Sequence, residues 1–413
     1  MRHFRFAVIL VALFVMAETL WAERKNTLGT QLDFVSGMSN WTPVNGLNLA
    51  PFQTVTPFYV VYSSIEMKSM GPHSAFDLSY TFGLQRIKSE LDVDSESHVL
   101  AASFDKTLSQ KWKFKLKESF EMTPDFATFS ALRGILFTPQ GAQFLYYPIA
   151  VRRSSQINSA SISVDYDFSP RSTLSFGLSH VSRDYEDNPQ FRGLLSDQYR
   201  MQGNVSYTRK RDERSSWGLE YSASQLHFED FEDVRMHNIS AVYSHQLSPT
   251  LNVRLAAGPS YVESLTSERN YPGYVASLRL EKSTRSNRLS LYYDRRTGES
   301  TGLGSISDTH NAGFGFSRLL GRRTTLGLDA SGFSTRHRLD NPADLRGVTG
   351  SVTLGLPLTD KMSLNGGALY RMHFLPRWAG DSRYSQATRL DVEEKRIFFS
   401  FRFRAPEFWR FAQ

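Results

Sequence analysis

The stretch Tyr243-Ser-His-Gln-Leu-Ser-Pro-Thr-Leu251 decides the fold. A strand pattern runs into it, Leu-Ser-Pro-Thr turns the chain, and a second strand pattern runs out. Ser and Pro suit such a turn because a hydroxyl can bond to nearby backbone and Pro pre-sets its own φ. The same signature stands at Phe104-Asp-Lys-Thr-Leu-Ser-Gln-Lys-Trp112 and at Tyr166-Asp-Phe-Ser-Pro-Arg-Ser-Thr-Leu174. Looser versions occur at Phe316-Ser-Arg-Leu-Leu-Gly-Arg-Arg-Thr324 and Leu354-Gly-Leu-Pro-Leu-Thr-Asp-Lys-Met362, and charged turns at 210–214 and 283–287 fill the gaps. From the second turn onward the centres fall roughly every 35–40 residues, room for two strands of ~10 residues and a longer loop at the far end.

Between the turns the chain alternates with period two, the mark of a strand with two different faces. Phe76, Leu78, Tyr80, Phe82 and Leu84 oppose Asp77, Ser79, Thr81, Gly83 and Gln85. Tyr199, Met201, Val205 and Tyr207 oppose Arg200, Gln202, Asn204, Ser206 and Thr208, and Val348, Val352, Leu354 and Leu356 oppose Thr349, Ser351 and Thr353. Aromatics such as Trp112, Tyr207, Trp217, Tyr243 and Tyr370 gather near strand ends, where a membrane interface favours them. One apolar face, one polar face, short turns and long loops together predict an all-β chain: a transmembrane antiparallel up-and-down β-barrel of about 16–18 strands.

The remaining composition fits. Met1-Arg-His-Phe-Arg5, an apolar run to Met16 and Leu20-Trp-Ala22 have the three-part layout of a secretory signal peptide. Beyond Met16 polar residues interrupt every apolar run, which excludes a spanning helix but not spanning strands. The mean hydropathy of −0.37 suits strands with a polar second face. Cysteine is absent, so no disulfide framework or thiolate metal site is expected, and nothing points to a cofactor. Residues 1–22 thus read as signal peptide and 23–53 as a first strand or a plug or periplasmic arm. Residues 54–404 read as the barrel and 405–413 as a tail. Taking 27–38 and 54–67 as strands gives eighteen; leaving 23–50 as a plug gives sixteen.

The chain closes on Arg396-Ile-Phe-Phe-Ser-Phe-Arg-Phe403, with Ile397, Phe399, Phe401 and Phe403 on one face. This resembles the C-terminal strand of bacterial outer-membrane barrels, read by the barrel assembly machinery as alternating aromatics. Here the chain runs on past Phe403, and Pro406 ends the strand pattern. The resemblance implies a porin-like barrel in the outer membrane of a Gram-negative bacterium, embedded in its lipid and lipopolysaccharide. A weaker resemblance, carried by the Leu-Ser-Pro-Thr-Leu style of turn, is to barrels associated with exopolysaccharide export.

Lys111-Trp-Lys-Phe-Lys-Leu-Lys117 is the sharpest charge feature. With Trp112, Phe114 and Leu116 toward lipid, Lys113, Lys115 and Lys117 form a ladder on the lumen side at ~6.8 Å spacing. Arg200, Arg254, Arg279, Arg371 and Arg402 are expected on the same face, opposed by Asp77, Asp165, Asp167, Glu220 and Glu281. Such a wall either selects anions or merely solvates the lumen with its bases paired to neighbouring acids. The longest insertion, between strand patterns ending near Met122 and starting near Gln156, is apolar for a loop. General porins resemble this, folding a loop from that place into the pore. Its charged groups Asp125, Arg133, Arg152 and Arg153 would then form a constriction; packing on the outer rim or on a partner subunit is the alternative.

His180-Val-Ser182 resembles the His-x-Ser pair of the outer-membrane lipid A deacylases, but Arg183 stands where they carry Asn, and His180 shares the lipid face with Leu174, Phe176 and Leu178. No enzyme is expected. Basic residues are scattered rather than clustered, which argues against nucleic acid. The function expected is an outer-membrane pore for small anionic solutes. The alternatives are an exopolysaccharide export barrel with periplasmic partners, and a structural or adhesive barrel without an open pore. A homo-oligomer is left open.

Overall fold

The computed structural model describes residues 25–43, 55–87, 93–123, 155–185, 197–229, 233–265, 269–300, 305–321, 323–337, 344–374 and 391–405. Eighteen strands form in chain order: β1 Lys25–Pro43, β2 Val55–Met70, β3 Ser74–Ile87, β4 Val93–Thr107, β5 Trp112–Thr123, β6 Ser155–Ser169, β7 Ser172–Tyr185, β8 Gln198–Lys210 and β9 Ser215–Phe228. They continue as β10 Val234–Ser248, β11 Leu251–Ser264, β12 Asn270–Ser283, β13 Asn287–Ser300, β14 Ser305–Leu320, β15 Thr324–His337, β16 Asp344–Pro357, β17 Met362–Phe374 and β18 Asp391–Arg404. Each pairs antiparallel with the strand before and after it. β18 pairs back onto β1, with Phe34 opposite Phe401, and closes the barrel. Residues 25–43, which the sequence left between strand and plug, are therefore part of the wall, and the count is eighteen.

Closure leaves no sheet edge, so the wall's backbone groups bond within the wall. Followed once around, the register advances by about 22 residues, which with this strand number sets a tilt of about 40° and a backbone diameter of about 36 Å. Every short turn lies at one rim together with the start of β1 and the end of β18.

The recurrent turn signature has a local cause. Ser109 Oγ accepts from the N–H groups of Lys111 and Trp112 at 3.2 Å. Ser169 and Ser248 do the same for Arg171 and Thr250 at 3.3 Å, and Thr359 for Lys361 at 3.2 Å. The hydroxyl two residues back thus satisfies a turn donor that the ladder cannot reach. The apolar residue just before it (Leu108, Phe168, Leu247 or Leu358) is left exposed on the barrel's edge. In the two Ser-Pro turns the register slips at this residue, between Asp167 and Ser169 and between Gln246 and Ser248. Gly321, in the turn between β14 and β15, has φ of 66°, a left-handed conformation that a side chain would strain.

Outward positions carry the large apolar side chains. Phe399 is 62% exposed, Leu219 52% and Leu178 51%, on strands spread around the wall. Inward positions divide by depth. Toward the turns they are polar, many of them charged. Toward the long loops they include two buried apolar clusters, Val35, Phe58, Val60, Tyr62, Val99 and Phe398 on one side and Leu226, Phe228, Val234, Met236, Val262 and Ile306 on the other; Ile306 alone of these falls on an outward position of its strand. Inward aromatics there lie over glycines of the neighbouring strand: a side chain at Gly83 would run into the ring of Tyr62, and one at Gly367 into Phe398.

Candidate functional site

The turn-side half of the lumen wall is where exposed charge collects. β5 carries Lys113, Lys115 and Lys117 inward, because Trp112, Phe114 and Leu116 alternate outward without a bulge. The three are not equivalent. Lys113 Nζ lies 2.9 Å from Asp167 Oδ2, and Lys115 Nζ 3.7 Å from Asp165 Oδ2, both on β6. Lys117 is exposed, faces Ser103 and Ser161, and has no acid partner among the described residues. Two rungs of the ladder are thus offset and one stands free.

Arg254 on β11 and Arg279 on β12 are direct cross-strand partners on the inward face. Arg254 reaches back to Glu220 Oε1 on β9 at 3.1 Å. Arg279 makes no ion pair among the described residues, and neither does Arg288 on β13; both are exposed. Arg254 and Arg279 line a recess of about 850 Å³ with Lys210, Arg214, Gln246 and Glu281. Arg288 was not singled out in the sequence, although its place at the head of Arg288-Leu-Ser-Leu, two before Ser290 and opposite the phase of Leu289 and Leu291, puts it on the inward face.

The other arginines are held differently. Arg402 on β18 donates from Nε to Asp33 Oδ1 at 2.7 Å, and Asp33 is 2% exposed, so this pair seals the β18–β1 closure. Arg371 lies at the loop end of β17 beside Glu394 at 3.4 Å, and Glu394 also pairs with Arg396. Glu394 and Arg396 are buried and the Arg371 side chain is 11% exposed, which makes them a clamp in the wall rather than a surface for solutes. Arg200 lies half-buried at the loop end of β8. Asp125, Arg133, Arg152 and Arg153 lie outside the described residues. The structure therefore gathers Arg254 and Arg279 and leaves Lys117 across the lumen from them; it does not bring Arg200, Arg371 or Arg402 to the same place.

Closure adds a relation between walls. β3 and β4 stand nine strands from β12 and β13, half of the way round. Asp77 and Asp105, inward on β3 and β4, thus face the wall that carries Arg279 and Arg288.

Two rings of aromatics bound the outer belt. At the turn side Trp112 packs on Tyr166 at 4.5 Å between ring centres and Tyr207 on Trp217 at 5.6 Å. At the loop side tyrosines pair with histidines: Tyr80 with His98 Nδ1 at 2.9 Å, Tyr221 with His237 at 2.9 Å and Tyr293 with His310 at 3.0 Å. An apolar belt between amphipathic girdles, on a closed even-numbered barrel, belongs in a bilayer. The chain is a porin-sized transmembrane β-barrel of the outer-membrane type.

No family model matches this barrel and no curated protein matches it. Solved structures with a similar barrel include Pseudomonas aeruginosa OccK2 (OpdF) in complex with glucuronate, at 14% identity, 93% of this chain, 99% of that chain and a TM-score of 0.48. Pseudomonas aeruginosa OccK9 (OpdG) matches at 13% identity, 92% of this chain, 98% of that one and a TM-score of 0.47. The siderophore receptor PirA of Acinetobacter baumannii matches at 8% identity, 92% of this chain, 81% of that one and a TM-score of 0.45. At these values the likeness is one of barrel shape; the wall chemistry is this chain's own.

His180 and Ser182 both fall on outward positions of β7, and His180 contacts the ring of Tyr199 at 6.5 Å. No acid orients this imidazole among the described residues. Among the described residues no group of three or more His, Asp and Glu is placed to hold a metal ion.

Proposed function

We propose that this barrel is an outer-membrane diffusion pore for small anionic solutes, and that the Arg254–Arg279 recess is where the solute's charge is met. The carrying observation is that pairing of two guanidiniums across adjacent strands, with a single acid answering one of them. Like charges directly opposite on a sheet are unfavourable by themselves, and an anion passing between them relieves that. Arg288 on β13 extends this basic surface, and Lys117 adds an unpaired base on the wall across the lumen. A basic channel with low-dielectric walls concentrates anions, and rings of Lys and Arg select for them. The test is reversal potential under a salt gradient, with the refolded protein in a planar bilayer. Steady conductance with anion preference supports the reading. A folded barrel that conducts cations preferentially, or does not conduct, overturns it.

A further inference from the structure

The lipid-facing surface carries one group that lipid does not account for. Between the basic residues at the turn-side edge (Lys106, Arg209, Lys282 and Arg318) and the Tyr–His pairs at the loop side, Glu118 is the single acid on an outward position among the described residues. It shares its face of β5 with Leu116 and Phe120, and no hydrogen bond or ion pair among the described residues satisfies its carboxylate. Its cross-strand neighbours are Ala102 on β4 and Ala160 on β6, so it stands in a shallow trough. Other polar groups lie on this face. Ala160 is in turn opposite His180 on β7. Asn158, opposite Phe120, has its Oδ1 shut from solvent with no partner.

A carboxylate at the middle of a bilayer is costly against lipid and is kept where protein answers it. We propose that the β5–β7 face docks a second copy of this chain, with Glu118 of each copy meeting His180 of the other. The geometry that selects this occupant is the row Glu118–Ala160–His180. A two-fold axis along the membrane normal, passing by Ala160, carries a residue on one side of the axis to face the residue on its other side. Glu118 and His180 then meet twice, acid to base. The row climbs by about 6 Å from Glu118 to His180 because the strands are tilted, a rise that the two side chains span. The small residues let the walls approach closely, as they do at helix contacts in lipid. The proposal does not depend on what the lumen carries.

The chain has no cysteine, so single-cysteine cross-linking tests it directly. The full-length Ala160→Cys barrel, in outer membranes under mild oxidation, is expected to form a disulfide-linked species of twice the chain mass. Leu328→Cys, outward on β15 at the far side of the barrel, is the control and is expected to stay monomeric. Adding Glu118→Leu or His180→Leu to Ala160→Cys should lower the dimer yield by about fivefold or more while the heat-modifiable gel shift of a folded barrel is retained. Equal cross-linking at both positions, no dimer at Ala160→Cys, a cross-link to a protein of another mass, or a yield indifferent to Glu118 overturns the proposal.

Discussion

Arg254 and Arg279 face each other across β11 and β12, and Glu220 at 3.1 Å answers the first but not the second. Stability and function pull apart here. Replacing Arg279 removes a like-charge contact and should leave the barrel as stable as before, or more stable by about 0.2–1 kcal/mol. The same replacement removes an unscreened lumen charge. One charge about 10 Å from a passing ion in water is worth about 0.4 kcal/mol, or roughly a twofold change in local concentration. Arg279→Gln is therefore expected to lower the anion-to-cation permeability ratio by about twofold in a planar bilayer. Arg254→Gln removes the same unit of charge and leaves Glu220 unanswered beside the recess, so it should lower the ratio at least as much. A clearly smaller effect would show that Arg254 does not reach the passing ion.

The lysine ladder gives a second ranking. Each single Lys→Gln change subtracts one unit of lumen charge, and at Lys113 and Lys115 it also bares Asp167 and Asp165. Lys113→Gln and Lys115→Gln should therefore shift the reversal potential toward cations at least as much as Lys117→Gln. A shift confined to Lys117→Gln would mean that the two aspartates do not reach the passing ion.

Arg295 and Asp308 form a pair on the outer surface at the loop end of β13 and β14. The N···O distance is 3.2 Å, the side chains are 7% and 11% exposed, and the guanidinium lies 3.5 Å over the ring of Tyr274. Thr297 Oγ1 donates to the same carboxylate at 2.6 Å. Asp308→Ala leaves a buried cation without its acid, at an expected cost of about 3–5 kcal/mol. Urea unfolding of the barrel in lipid vesicles measures it. The Arg295→Leu/Asp308→Leu double variant should recover most of the loss. A single-variant cost under about 1 kcal/mol would place the pair in water.

The β8–β9 turn should loosen in acid. Asp212 is held below the ordinary carboxylate range, first by the Ser215 hydroxyl and then by the Arg214 N–H. A lowered folded-state value means that its contribution is complete above the ordinary carboxylate pKa and is lost as the pH falls through the folded value. Hydrogen-exchange protection of the Arg214 and Ser215 amides should therefore hold at neutral pH and decline below about pH 4. Asp212→Asn, which keeps an acceptor but not the titration, should flatten the profile. A wild-type profile already flat through this range would remove Asp212 from the turn's stability.

Much of the barrel was legible because its information is local. Leu247-Ser248-Pro-Thr250 sets its own hydrogen bond within two residues, and the alternation of Phe76, Leu78 and Tyr80 with Asp77 and Ser79 assigns faces one strand at a time. The inward placing of Lys113, Lys115 and Lys117 needed only Trp112 and Phe114 between them. What the alternation could not supply was the partner across each gap. Asp165 and Asp167 lie some fifty residues from the lysines they meet, and nothing in either strand alone reports the register that joins them.

The sequence by itself determined the strand pattern, the turns and which residues of each strand face lipid, because period two and turn chemistry act between near neighbours. Tertiary structure alone decided that 25–43 is a strand, since its ladder needs β18, whose partner Phe401 is remote in sequence from Phe34. The register between neighbouring strands also decided which charges are offset and that Arg254 meets Arg279, and closure decided which wall faces which. Electrostatics depends on separation in space, and only the register and curvature of the closed wall fix that.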